Sequence, residues 1–363
     1  MLDENTIRNI PKVELHRHME GSIRPETAWE TIQRKNLKVE ANSLESFIQN
    51  AYMPTPAGNL GRVLGAMSLT RRILLDYETI ERVAFENVED AWLDGVRLLE
   101  LRFAPSLLTK TSDLDFAEVI RAVRAGVIGA MSAYPIEVGL IISLRRGSPM
   151  HENENLAETA IAMAKDLEKD PDFGSRIVGF DLSDDENLAD PHSFAHLAMQ
   201  ARNAGMGVTV HTGLNTSAGH IRNTMEHLRP DRIGHGILIM DDPSLVEEFL
   251  KLGTMIEISL TSNWITGAVP SLEKHPFPVM AKAGLSVCIN TDDPQFFRID
   301  LVDEYLKASH LYGLDTKAFS DMNIAALNHS FLPQPVRERA RKTFFQTDAD
   351  QLVPDKFWAR RQT

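Results

Sequence analysis

The sequence predicts a (β/α)8 barrel, and three observations carry that expectation. Short apolar, β-branched runs recur eight times, a segment of helical pattern precedes each, and each ends in polar or turn-forming residues. Strands alternating with helices build right-handed βαβ units and a parallel sheet, and eight such units close on themselves.

The strand candidates, in chain order, are "VELHRH" (13–18), "VRLLELRFAP" (96–105), "IEVGLIISLRR" (136–146) and "RIVGFDLSD" (176–184). The series continues with "GVTVHTG" (207–213), "RIGHG" (232–236), "TMIEISLTSN" (254–263) and "LSVCINTDD" (285–293). Between them, "ETIERVAFENVEDAWLDG" and "DPSLVEEFLKLG" read as helices, the second ending at Gly253 as a C-cap would. Residues 19–95 are too many for one crossover and predict several extra helices over the barrel mouth, placed to act as a lid. Residues 300–363 are again helix-like, with "RERARKTFFQTDADQL" as a terminal helix. No Gly/Ser linker, low-complexity tract or fixed-period repeat interrupts the chain, so residues 1–363 are expected to form a single domain.

Apolar residues make up 43% and charged residues 25%, the usage of an ordinary packed protein. A net charge of -13 repels a polyanion, and no Lys/Arg run offsets it, which argues against nucleic acid as a partner. The polar start "MLDENTIRNIPKVELH" lacks the apolar stretch of a secretion signal, and no run is long and apolar enough to span a bilayer. No membrane association and a cytoplasmic location are therefore expected. The single cysteine, Cys288, cannot form an internal disulfide, and its place in "LSVCIN" suits a small buried side chain. Nothing in the sequence assigns an oligomeric interface.

In such barrels the chemistry sits at the C-terminal ends of the strands. Here strand one closes with His16 and His18, strand five with His211, strand six with His235 and strand eight with Asp292 and Asp293. Residues i and i+2 of a strand face the same way, so His16 and His18 can grip one ion. An H-x-H is a weak signal alone; it gains weight because the fold would converge the other histidines and an aspartate on it. Three imidazoles and a carboxylate drawn from these ends suit Zn²⁺, with Fe²⁺ or Mn²⁺ as alternatives. Such an ion lowers the pKa of a bound water and supplies hydroxide at pH 7. His235 is positioned to orient that water or take its proton, and Asp293 to act as a second base or as an acceptor from a substrate. The remaining histidines, His275 and His329 among them, lie away from strand ends, where surface or capping roles are expected.

"PKVELHRHMEGSIRPETAWE", "LELRFAP", "VGFDLSDDE", "HTG", "DRIGHG", "SLTSN" and "INTDDP" together resemble, in order and spacing, the adenosine deaminase family of the amidohydrolase superfamily, over about residues 8–340. The resemblance implies a (β/α)8 barrel with one zinc ion at its mouth. It matches His16, His18, His211 and Asp292 to the zinc ligands, His235 to the histidine that assists the zinc-bound water, and Asp293 to the aspartate that accepts a hydrogen bond from the purine ring. Ser262 and Asn263 resemble positions beside the site.

Three positions depart from the family pattern. Where its deaminases carry H-A-G-E, the glutamate protonating a ring nitrogen, this chain has H-T-G-L with Leu214. Leucine donates no proton, and loss of a positioned general acid lowers a rate by about 10² to 10⁴. After "GFDL" the adenosine-specific members have a glycine, whereas this chain has Ser183, Asp184 and Asp185, closer to AMP deaminases, and Asp184 adds a carboxylate near the substrate. Glu20 replaces an aspartate that meets the ribose in many members. The implied function is a zinc-dependent hydrolase that attacks a purine-like or other heterocyclic nucleoside or base with metal-bound hydroxide, ordinary adenosine deamination not being expected. The proton comes from another group, such as Asp184 or water, or the substrate needs no ring protonation and Leu214 packs against a different ring. The alternative is a ligand-binding relative that keeps the metal and has lost catalysis.

Overall fold

The computed structural model describes residues 2–110, 112–167 and 177–345. Eight strands, β1 (Lys12–His18), β2 (Val96–Phe103), β3 (Glu137–Arg145), β4 (Ile177–Ser183), β5 (Gly207–Thr212), β6 (Arg232–His235), β7 (Met255–Ile258) and β8 (Val287–Ile289), pair in parallel in sequence order. The ring closes just past β8, where the His18 amide donates to the Asp292 carbonyl (2.8 Å) and the Asp292 amide to the His16 carbonyl (3.0 Å). That closure sets β1 and the segment after β8 side by side at the mouth.

The long first crossover carries four helices, as its length requires: α2 (Pro25–Arg34), α3 (Leu44–Ala51), α4 (Leu60–Arg71) and α5 (Tyr77–Leu93), after a short α1 (Glu4–Asn9) before the barrel. Asn59 caps α4 and Asp76 caps α5, each side chain accepting from a backbone amide three residues on. The helix Pro243–Leu252 starts with Pro at its first position and ends on Gly253 at φ 66°, the C-cap anticipated from sequence. No helix among the described residues is long and apolar enough to cross a membrane.

Every strand but β1 ends before its expected run does, β8 most simply by closing at Ile289, and two of the runs give way to helices. The run 254–263 is a strand only to Ile258; Leu260–Ile265 is a helix, because Leu260, Trp264 and Ile265 recur at helical rather than alternating spacing. Similarly, β2 stops at Phe103 because Pro105 opens the short helix Pro105–Thr109. The expected terminal helix begins as Gln334–Ala340 and continues as a wider turn to Phe345; its remainder lies outside the described residues.

The core is one large apolar cluster between strands and outer helices. The lumen beneath the mouth is charged: Arg232 donates to Glu100 (2.6 Å) and Glu257 (2.6 Å), and Arg102 to Glu257 (2.7 Å), all fully buried. Taking such groups out of water is costly, and their pairing offsets part of that cost.

Candidate active site at the barrel mouth

His16 and His18 alternate with Arg17 at the end of β1, and His211 lies one residue before the end of β5. Each, with Asp292, presents one donor atom, and the four atoms lie within 4.8 Å of one another. His18 Nε2 is 3.2 Å from His211 Nε2, and Asp292 Oδ1 is 3.2 Å from His16 Nε2 and 3.4 Å from His18 Nε2.

The rings are oriented from behind. His16 Nδ1–H donates to Glu257 Oε2 (2.8 Å) and His211 Nδ1–H to Asp181 Oδ1 (2.9 Å), which leaves both Nε2 lone pairs facing the convergence point. The buried His16 Nε2 has no hydrogen bond, and Ser262 Oγ–H holds Asp292 by donating to its Oδ2 (2.7 Å). Three converging imidazole nitrogens, that of His16 orphaned, and one carboxylate fit a divalent ion of the zinc type.

These groups open on a cavity at the barrel mouth. His18, Glu20, Ser183, Asp184, His211, Leu214, His235, Asp292 and Asp293 all line it, and His16 lies beneath. His235 adopts φ 65°, Asp292 66° and Asp184 80°, left-handed values that non-glycine residues hold only when their surroundings compel it. Gly21 packs so closely on Asp293 that a Cβ there would lie 1.7 Å from Asp293 Oδ1, itself buried without a partner. Burial, with Asp292 and Glu20 alongside, raises the Asp293 pKa well above the usual carboxylate range. Burial likewise lowers His235 to about 3, so its imidazole is neutral at pH 7.

Several contributors were not legible as site residues. Glu186 accepts from the amides of Gly213 (2.7 Å), Leu214 (2.7 Å) and Asn215 (3.3 Å) and from Thr216 Oγ1–H (2.6 Å). Burial would raise its pKa, but hydrogen bonds from His220, Thr216 and these amides outweigh burial and bring it to about 2. Glu186 therefore clamps the turn carrying Leu214 as an ion and holds no proton to give. Asp184, singled out from the sequence, is tied to Arg145 (2.8 Å) and to the Gly147 amide (3.2 Å). Asp181, Glu257 and Arg102 are also missed; their signal is a charged residue facing inward from an apolar strand. Over the mouth, Leu60, Val63, Leu64 and Met67 of α4 form an apolar wall. His275, expected in a surface or capping role, is 3% exposed and bonds to Asn263, which bonds to His235.

The family model for adenosine deaminase matches residues 11–345. An adenosine deaminase of Shigella flexneri serotype 5b is 31% identical over 334 residues, 92% of this chain and 97% of that protein. An N6-methyl-AMP deaminase structure from Arabidopsis thaliana superposes with a TM-score of 0.80 at 25% identity, covering 96% of this chain and 100% of that one. An adenine deaminase from Arthrobacter aurescens shares the fold, with a TM-score of 0.81 at 21% identity over 93% of this chain and 98% of its own. The matched span runs from β1 through every strand and past the closure of the ring, and on it the chain belongs to the adenosine deaminase family.

Proposed function

We propose that this protein is a zinc-dependent hydrolase of a purine-like or other heterocyclic nucleoside or base, and that ordinary adenosine deamination is not its reaction. The observation that carries the reading is the convergence of His16, His18, His211 and Asp292 within 4.8 Å on a cavity that also holds His235 and Asp293. An ion held by those four residues would supply Lewis acidity and bring the pKa of water at the site toward neutrality.

The chain's own residues supply the rest. His235, neutral and buried, is in reach of a nucleophile poised beside Asp292 and orients it or handles its proton. Asp293, which lines the cavity, meets the heterocycle. Leu214 is 7% exposed and gives the ring an apolar neighbour where the family's deaminases offer an acid. Of the carboxylates lining the cavity, Glu186 is engaged by backbone amides and Asp184 by Arg145, so neither of these two replaces the acid. This favours a substrate that needs no ring protonation, or one that takes its proton from water.

A screen of the metal-loaded protein for ammonia release and substrate loss tests the proposal. It would span adenosine, adenine, AMP, N6-substituted purines, pterins and related heterocycles. Turnover of another heterocycle, with adenosine slower by at least about 10²-fold, is expected. Adenosine turnover at ordinary enzyme rates would overturn the inference from Leu214, and no turnover across the set would favour the non-catalytic relative. Leu214→Glu should raise adenosine deamination.

A further inference from the structure

Two guanidinium groups line the cavity, and among the described residues only one of them is paired. Arg71, the last residue of α4, and Arg145, the last of β3, both line it. Arg145 pairs with Asp184 at 2.8 Å. Arg71 is half-buried, and among the described residues its guanidinium makes no hydrogen bond or ion pair. The two cations lie near enough for Arg145 to oppose the charge of Arg71.

Glu20, Asp293 and Asp184 attract Arg71, but among the described residues none of them lies within hydrogen-bond or ion-pair distance of its guanidinium. Glu20 Oε1 accepts from the Ala104 amide (2.7 Å), and Asp184 also takes the Gly147 amide (3.2 Å). Asp184 keeps its place at φ 80°, a conformation a non-glycine residue holds only under constraint, so Arg145 is fixed and Arg71 is left over. A guanidinium withdrawn from water needs a partner to offset the lost hydration, and its planar fork of five donors matches a carboxylate or phosphate.

We propose that Arg71, backed by Arg145, is the anchor for an anionic group on the substrate, a carboxylate or a phosphate. It rests on the reading of this cavity as the substrate pocket. The helix that bears Arg71 also supplies the apolar wall of the mouth, so the anion tethers α4 over the bound heterocycle.

Calorimetric binding to the purified full-length protein, loaded with zinc, tests this with adenosine, adenosine 5′-monophosphate and adenosine 5′-carboxylate. At least one anionic ligand should bind about 10- to 100-fold tighter than adenosine, the range of a charge-assisted hydrogen-bonded pair. That preference should collapse in Arg71→Met, be partly kept in Arg71→Lys, and persist in Arg72→Met, whose side chain is exposed on the same helix end. Tighter binding of the monophosphate assigns a phosphate, and of the carboxylate a carboxylate.

Equal affinity for neutral and anionic ligands, no binding of either anion, an unchanged preference in Arg71→Met, or an equal loss in Arg72→Met would overturn the proposal. Binding and turnover separate the two readings. A protein that binds anions through Arg71 and hydrolyses nothing refutes the hydrolase, whereas one that turns over neutral heterocycles without anion preference refutes the anchor.

Discussion

A single backbone amide settles which nitrogen of His235 carries its proton. The Phe277 N–H donates to His275 Nδ1 (3.0 Å), so that nitrogen is an acceptor. Burial lowers His275 to about 4, so it is neutral at pH 7 and its proton sits on Nε2, which donates to Asn263 Oδ1 (2.9 Å). The Asn263 amide is thereby oriented, and its Nδ2–H donates to His235 Nδ1 (3.0 Å). His235 keeps its proton on Nε2, the atom 4.0 Å from Asp292 Oδ2, and in the resting protein it faces the site as a donor. No sequence signal distinguishes His275 from a surface histidine, since its role comes from packing against a distant turn. The relay also sets a pH dependence. The folded-state pKa of about 4 lies below the unfolded value near 6.5, so the unfolded chain binds the extra proton first as pH falls. Stability from this group is complete above about 6.5 and drains away toward 4, by about 2 kcal/mol between pH 7 and pH 5. Glutamine at this position preserves a donor to Asn263 and does not titrate. Urea unfolding at the two pH values should therefore show wild type losing about 2 kcal/mol more than His275→Gln; equal losses would mean that His275 is not held neutral.

At the scale of the elements, α4 is weakly secured, and that follows from its composition. Gly61 and Gly65 each weaken a helix by about 1 kcal/mol relative to alanine, and no acidic residue supports its first turn. Its buried residues Val63 and Met67 dock with Ile265, Phe296 and Phe297 in a small apolar cluster, and only Leu60 and Leu69, both partly exposed, reach the main core. A weak helix on a satellite cluster opens at lower free energy than the barrel, which suits the cover of a substrate cavity. The length of the first crossover made helices over the mouth legible, but not which residues they present. Leu60, Val63, Leu64 and Met67 read equally well as packing against the barrel wall. Gly65 offers a test that touches nothing, since a Cβ there meets no atom within 4 Å. Gly65→Ala should stabilise α4 by about 1 kcal/mol and slow amide hydrogen exchange across residues 60–71 by about fivefold relative to the strands. Unchanged exchange there would show that α4 opens only with a larger part of the molecule.

At the scale of the whole chain, the barrel was legible because eight apolar runs punctuate it, and the fold rule then placed polar residues at strand ends where chemistry could be sought. What lay hidden was the charged lumen, because a lone Glu257 in "TMIEIS" or Arg102 in "LELRFAP" gives no hint that they meet across the barrel at 2.7 Å. The candidate metal group has a consequence at the same scale. His16 and His18 come from the first strand, His211 from the fifth and Asp292 from the closure after the eighth, so one ion would tie the start, middle and end of the barrel together. An unfolded chain does not keep these residues within reach of one another, so the ion binds the folded state preferentially and stabilises it by RT ln(1 + [L]/Kd), about 4 kcal/mol at a thousandfold excess over Kd. Chelator-stripped protein should unfold at lower urea concentration, and zinc should restore the difference. Magnesium should not, since it prefers an octahedron of oxygen donors. Asp292→Asn should retain the barrel yet respond far less to zinc. If zinc neither binds stoichiometrically nor moves the unfolding midpoint of wild type, these four residues pack as a buried polar cluster and the hydrolase reading loses its footing.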